Sequence, residues 1–356
     1  MTAYILVYCL VAIPALFYWR RAQPAAWLAA GLVLVIFVGL RHEVGGDWLG
    51  YILLTERITG MPPLEAVLVM EPMYGVLTWL SAQLGWGVYG VNLLGAAIFF
   101  FGLFSYCDRQ PNRWLALAAA MPFLVIVAVM SANRQGIAIG IVLYAMSRWE
   151  RLGIARRVAW ILLAASFHVS ALLLLVLAVA DIRMRRSRKI LLLAILAAGS
   201  LWLLSRYEVA WSRYTTVYVE QSHGAYSPGA VFHLLLNLVP AGFMLAFRKR
   251  WARLVRDWHL LRQLCILAFV LLAFSPFMTV AVSRMSLYLF PISITFVAYL
   301  PQVLREGPSR ALARLGCTVV LGVVLAAWLA LSNTAFTYFP YQNALFLRSS
   351  ELDLPR

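Results

Sequence analysis

The chain has 356 residues, 63% of them hydrophobic and 12% charged, with a formal net charge of +16 and a mean hydropathy of +0.83. Apolar stretches of 16 or more residues recur along it, and a soluble core cannot absorb that many uninterrupted apolar segments. The basic excess does not mark a nucleic-acid binder, because it lies in short clusters between apolar runs, where membrane topology explains it.

In chain order, full crossings are expected at about 4–19, 25–40, 89–106, 114–130, 133–148, 190–205, 231–247, 264–283, 285–303 and 315–332. The first reads as a span and not a removable signal peptide, since no basic residue precedes it and no small-residue cleavage site follows. Six basic clusters fall at 20–21, 109–113, 148–157, 183–189, 248–262 and 305–314. Placing all six inside puts 22 of the 30 Lys and Arg, and 5 of the 14 Asp and Glu, on the cytoplasmic side. That is the positive-inside bias in strong form. It predicts both termini outside.

Parity then isolates two segments. Residues 61–87 enter and leave on the outer side, and 154–182 enter and leave on the inner side. Each is expected to be a re-entrant or bent pair of half-helices, unless it is a single span that breaks the charge rule. Pro62, Pro63 and Pro72 supply bends in the first, and Ser166-Phe167-His168-Val169-Ser170 is the apex of the second. Irregular backbone at membrane depth is tolerated only inside protein or along a wet cavity, and it often marks a binding site. The fold class is therefore an all-α polytopic integral membrane protein with about 10 full transmembrane helices plus two re-entrant or bent segments. It forms a single transmembrane domain over 1–356, with outer loops 41–70 and 206–230 and a tail 333–356. Four scattered cysteines give neither a disulfide framework nor a metal site.

The charged residues left outside crowd into few places. Arg41-His42-Glu43-Val44-Gly45-Gly46-Asp47 leads into Trp48 and Tyr51, with Asp47 as a helix cap and Asp47 and Tyr51 on one face. Glu71-Pro72-Met73-Tyr74 places a carboxylate at membrane depth, where it must be paired or functional. Arg134 follows Ser131 and Asn133, and Arg284 follows Ser283, each at the expected start of an inward-running helix. A guanidinium beside a helix N-terminus is an anion site by charge and by dipole. Two such sites suit a diphosphate, which arginine grips bidentately. Tyr288 stands one turn beyond Arg284. His168 lies in an apolar stretch, and Arg213 with Tyr214 and Tyr218 lies in the loop 206–230. Pro340-Tyr341 in the tail could cap an outer cavity. Each feature also has a plainer reading, as a snorkelling or paired arginine, a hydrogen-bonded core histidine or an ordinary loop. No Asp-x-Asp, glycine-rich phosphate loop or Cys/His cluster supports metal- or nucleotide-dependent chemistry.

Together, Arg41…Gly45-Gly46-Asp47…Tyr51, Glu71…Tyr74, Asn133-Arg134-Gln135-Gly136-Ile137-Ala138 and Phe167-His168-Val169-Ser170-Ala171 resemble the EpsG family of Wzy-type exopolysaccharide and O-antigen polymerases. The first half of the chain carries the resemblance, with Arg284…Tyr288 as a weaker echo. The resemblance implies kinship with lipid-linked-sugar (GT-C-like) glycosyltransferases. It also implies transfer of a growing glycan from undecaprenyl pyrophosphate to the terminal sugar of another lipid-linked repeat. In that scheme Arg134 and Arg284 meet the pyrophosphate, Arg41 pairs with Asp47 or meets the second phosphate, and the base is one of Asp47, Glu71 and His168, with Asp47 preferred. Tyr51, Tyr74, Arg213 and Tyr288 meet substrate, with no metal and no cofactor. Partners would be the lipid-linked oligosaccharide, membrane lipid, a chain-length regulator and a flippase, with no nucleic acid. A lipid-linked-oligosaccharide transporter, an acyltransferase relying on His168 and a lipid-linked glycan ligase remain as rivals.

Overall fold

The computed structural model describes residues 1–17, 24–180, 182, 184–185, 187–189, 191–192, 195, 228–276, 279–304 and 307–347. Most of the 190–205 span, Arg213, Tyr214 and Tyr218 of the outer loop, the cluster 20–21 and the tail beyond 347 lie outside the described residues.

The described chain is almost entirely helical. The first half runs α1 (Thr2–Leu16), α2 (Pro24–Gly39), α3 (Trp48–Ile58), α4 (Pro63–Leu68), α5 (Pro72–Gln83), α6 (Gly87–Cys107), α7 (Arg113–Ala120), α8 (Asn133–Met146), α9 (Ile154–Ala165) and α10 (Leu175–Ala180). The second half runs α11 (Pro228–Ala246), α12 (Arg248–Leu254), α13 (Trp258–Phe274), α14 (Thr279–Ser286), α15 (Phe290–Val303) and α16 (Pro308–Leu331). Gly87–Cys107, Val282–Val303 and Pro308–Leu331 are long and apolar enough to cross a membrane, and shorter apolar helices accompany them. Only 17% of the α16 span is buried by protein. Val319, Val320, Val323 and Leu331 are exposed along it, which suits a helix whose solvent is hydrocarbon.

The centre is built on the crossing of α6 and α8, and glycine makes it possible. A Cβ on Gly102 would stand 1.8 Å from the Gly140 carbonyl oxygen, and one on Gly140 would stand 2.4 Å from the Phe99 Cα. With little hydrophobic drive between helices in lipid, such close backbone approach is what holds them together. Gly140→Val is expected to destabilise the fold by at least about 3 kcal/mol, because the clash is with backbone that cannot rotate away. Gly316→Val, which meets nothing within 4 Å, serves as the control. Equal melting temperatures and equal monodisperse yield for the two variants would refute this account of the crossing.

Between α7 and α8 the helix widens into a π-helical stretch, Met121–Val129. Pro122 near its start has no N–H to give. The widened turn is tied from far away, since the Tyr338 hydroxyl donates to the Val127 carbonyl at 2.7 Å.

Both isolated segments are broken helices. The first breaks between α4 and α5 at residues 69–71. Pro63 and Pro72 each take the first helical position of the helix that follows, where a missing N–H is harmless. The arms lie so close that a Cβ on Gly75 would stand 2.7 Å from the Ala66 carbonyl oxygen. The second breaks after α9 at 166–168 and resumes as a 3-10 turn, Val169–Leu174, before α10. Its two arms pack on each other.

The second half departs from expectation in one place. The span expected at 264–283 ends at Phe274, and Pro276, which has no N–H to continue the helical ladder, follows two residues on. Helix resumes by Thr279 and runs through a 3-10 turn, Leu287–Leu289, into α15. Arg284 therefore sits within a helical run. It does not stand at the start of one, and the helix-dipole contribution expected for it is withdrawn. Arg134 keeps its place as the second residue of α8.

The tail returns to the outer loop. A two-residue strand, Gln342–Asn343, pairs antiparallel with Arg41–His42. Tyr341 stacks on Phe37 and donates to the Phe37 carbonyl at 2.8 Å, so it packs back on α2.

Candidate functional site

The two breaks meet. The Met73 N–H, in the first turn of α5, donates to the Ser166 carbonyl at 3.0 Å, which joins one apex to the other. Glu71 ends the first break and His168 ends the second. The His168 Nδ1 lies 3.1 Å from Glu71 Oε1, and Arg134 Nη1 donates to Glu71 Oε2 at 2.8 Å. The Glu71 and His168 side chains are 8% and 9% exposed. Both oxygens of one buried carboxylate are thus committed to nitrogen partners.

Arg134 is placed by what precedes it. Asn133 begins α8, and its Nδ2 donates to the Tyr74 hydroxyl at 3.4 Å. Asn133 fits only because Gly95 on α6 lacks a Cβ, which would stand 2.6 Å from Asn133 Oδ1. Arg134 lies within electrostatic reach of Tyr51, and the Tyr51 and Tyr74 rings lie 6.1 Å apart. Tyr51, Tyr74, Arg134 and Glu71 therefore form one connected wall.

Asp47 and Arg284 lie within electrostatic reach of the same two tyrosines, Tyr51 and Tyr338. Arg284 also reaches His168. Neither side chain has a hydrogen-bond or ion-pair partner among the described residues. Asp47 stands at the N-cap of α3 without making a capping bond. One cation and one carboxylate are therefore left uncommitted beside a fixed Glu71–Arg134–His168 cluster.

The loop that delivers Asp47 is wedged in place. Gly45 has φ +103, and a Cβ there would stand 2.2 Å from the Met130 carbonyl oxygen. Only glycine satisfies both conditions. Its N–H donates to the Thr337 carbonyl at 2.9 Å. Glu43 has φ +51 without being glycine, a conformation that costs about 1 kcal/mol and that gathers at functional sites.

Arg41 is placed differently from its expected role. Its guanidinium is 1% exposed, with Nη1 donating to the Val38 carbonyl at 2.6 Å and Nε to the Val44 carbonyl at 3.2 Å. Nη2 reaches Asn92 Oδ1 at 3.4 Å. No carboxylate pairs with it among the described residues, so the expected Arg41–Asp47 pair does not form. Its charge lies near Tyr51, Tyr338 and Tyr74. Tyr288 is buried, and the Ser170 Oγ donates to its hydroxyl at 3.1 Å.

Sequence reasoning missed Tyr338. It links the tail to the π-helical stretch and lies near Arg41, Ser131, Asp47 and Arg284. An aromatic-rich tail, Tyr338-Phe339-Pro340-Tyr341, was the available sign.

These features define a helical membrane protein with a buried charged site where two broken helices meet. The model of the EpsG family matches residues 25–343, nearly the whole chain, and the chain belongs to that family. Membership carries a polysaccharide-polymerase type of function, that of a glycosyltransferase-like enzyme. No curated protein and no solved structure matches the chain.

Proposed function

We propose that this protein polymerises lipid-linked oligosaccharide repeats at the outer face of the bacterial inner membrane. It transfers a growing glycan from undecaprenyl pyrophosphate to the terminal sugar of a second lipid-linked repeat. The observation that carries the reading is the uncommitted pair, Asp47 and Arg284, beside the fixed Glu71–Arg134–His168 cluster.

Asp47 takes the proton of the acceptor hydroxyl as that oxygen bonds to the anomeric carbon. The bond from the anomeric carbon to the diphosphate oxygen breaks, and the diphosphate leaves with the electron pair. Charge grows on the leaving oxygens, where Arg284 and Arg134 are placed to meet it. Attack from the face opposite the diphosphate inverts the anomeric centre. Glu71 and His168 orient Arg134, while Arg41 adds positive potential near Tyr51 and Tyr74. Tyr51, Tyr74 and Tyr288 shape the sugar site, and Arg213 in the outer loop adds a contact to it. The reading assigns charge compensation to arginine, with no metal and no cofactor. A flippase would supply the repeats and a chain-length regulator would act on the product.

The test is cell-free. Purified full-length protein in phospholipid nanodiscs, given undecaprenyl-diphosphate-linked repeats, should produce a ladder of longer glycans. Unchanged repeats, or movement of repeats across vesicles without a ladder, would overturn the reading in favour of a transporter.

A further inference from the structure

An apolar cavity lies beside the charged site. It has a volume of about 430 Å³ between α10, α13 and α14, and Leu173, Leu177, Val270, Val282 and Met285 are among its lining residues. Gln263 is the single polar side chain among its described lining residues. The volume is that of a small-molecule site, and exposed Val176, Ile266 and Phe274 leave its mouth open toward lipid.

The cavity shares two walls with the charged site. The 3-10 stretch Val169–Leu174 sends Ser170 to Tyr288 and Leu173 into the cavity. Helix α14 sets Val282 and Met285 on the cavity, while Arg284 between them reaches Tyr51, Tyr338 and His168. Residues 282 and 285 are three apart and share a helix face, from which 284 is turned away. One short helix therefore divides an apolar groove from an uncommitted cation. That layout fits an amphiphile whose anionic head meets Arg284 and whose single hydrocarbon chain runs behind it.

We propose that this groove seats the first isoprene units of a polyprenyl diphosphate. The proposal rests on the reading above that the donor is a lipid diphosphate, and it assigns the place where that lipid is held. The rest of a long polyprenyl chain would leave through the open mouth into the bilayer. The groove offers a hydrocarbon chain packing contacts that a free sugar diphosphate, which has no chain, cannot make, so it would favour a polyprenyl carrier.

The test uses a photoactivatable benzoyl-phenylalanine in full-length protein, placed at Val270 in the groove or at Val320 on the exposed face of α16. Each protein is held in phospholipid nanodiscs containing undecaprenyl diphosphate and irradiated, and the adduct is identified by mass. A polyprenyl adduct at 270 and phospholipid adducts at 320 are expected. Arg284→Ala should lower the polyprenyl adduct at 270 by about tenfold, as should replacing the diphosphate with undecaprenol. Phospholipid alone at 270, equal polyprenyl labelling at both positions, or a cross-link to another segment of this chain would overturn the proposal. If the glycan ladder forms while 270 takes up only phospholipid, the groove assignment fails and the polymerase reading stands. If the polyprenyl adduct forms but no ladder does, the groove stands as a polyprenyl-diphosphate site and the polymerase reading fails.

Discussion

Replacing Arg134 with alanine is expected to cut polymer formation by about 10²–10³-fold, the usual loss when one fixed donor to developing charge is removed. The side chain is 22% exposed and pairs with Glu71 at 2.8 Å. Breaking a buried pair from one side leaves the other charge stranded, at a cost of about 3–5 kcal/mol. Protein level in the membrane must therefore be measured beside polymer length. Two further variants separate catalysis from folding. Arg134→Lys keeps the charge but loses the planar fork, so it should fold and retain only partial activity. Arg134→Ala combined with Glu71→Gln removes both charges together. It should recover protein level relative to Arg134→Ala without recovering polymer, because residues in contact do not act additively. Normal polymer from well-expressed Arg134→Ala would exclude this arginine from the chemistry.

Much of the site was legible because charge at membrane depth is rare enough to be informative. Parity of the basic clusters singled out 61–87 and 154–182, and both prove to be broken helices. Pro63 and Pro72 start the helices they were expected to bend. The contact between the two apices was not legible, since the Met73–Ser166 bond joins residues with no sequence relation. Nor was the direction of Arg41. A pair with Asp47 or a contact to phosphate was expected, but the guanidinium turns back to the carbonyls of Val38 and Val44. Arg284 was misplaced along its helix because the preceding span ends at Phe274, earlier than hydropathy alone implied. Tyr338 escaped notice because its role depends on the tail pairing with residues 41 and 42. Local pattern reports breaks and charges. Which of them converge is decided by packing between distant segments, and the glycine crossing of α6 and α8 is the element that sets it.

Asp47→Asn is expected to lower turnover by about 10²–10⁴-fold, the range for loss of a general base, with stability unchanged to within about 0.5 kcal/mol. The contrast follows from its surroundings. Asp47 occupies the N-cap of α3 yet makes no capping bond, and it has no ion pair among the described residues. Asparagine has the same shape and serves equally well at a cap, so only the ability to accept a proton is lost. Glu71→Gln tests the opposite assignment. Both Glu71 oxygens are engaged, by Arg134 and His168, so that variant should lose stability as well as activity and should shift the melting temperature. His168→Asn tests the third candidate, whose Nδ1 is engaged with Glu71. The measurement is the initial rate of ladder formation across pH, alongside melting temperature, for the three variants. A base at Asp47 requires Asp47→Asn to be stable and inactive, with its residual rate flat across the acid limb of the wild-type profile. A stable and active Asp47→Asn, with the acid limb retained, would move the proton transfer to Glu71 or His168 and leave Asp47 as a helix-start residue only.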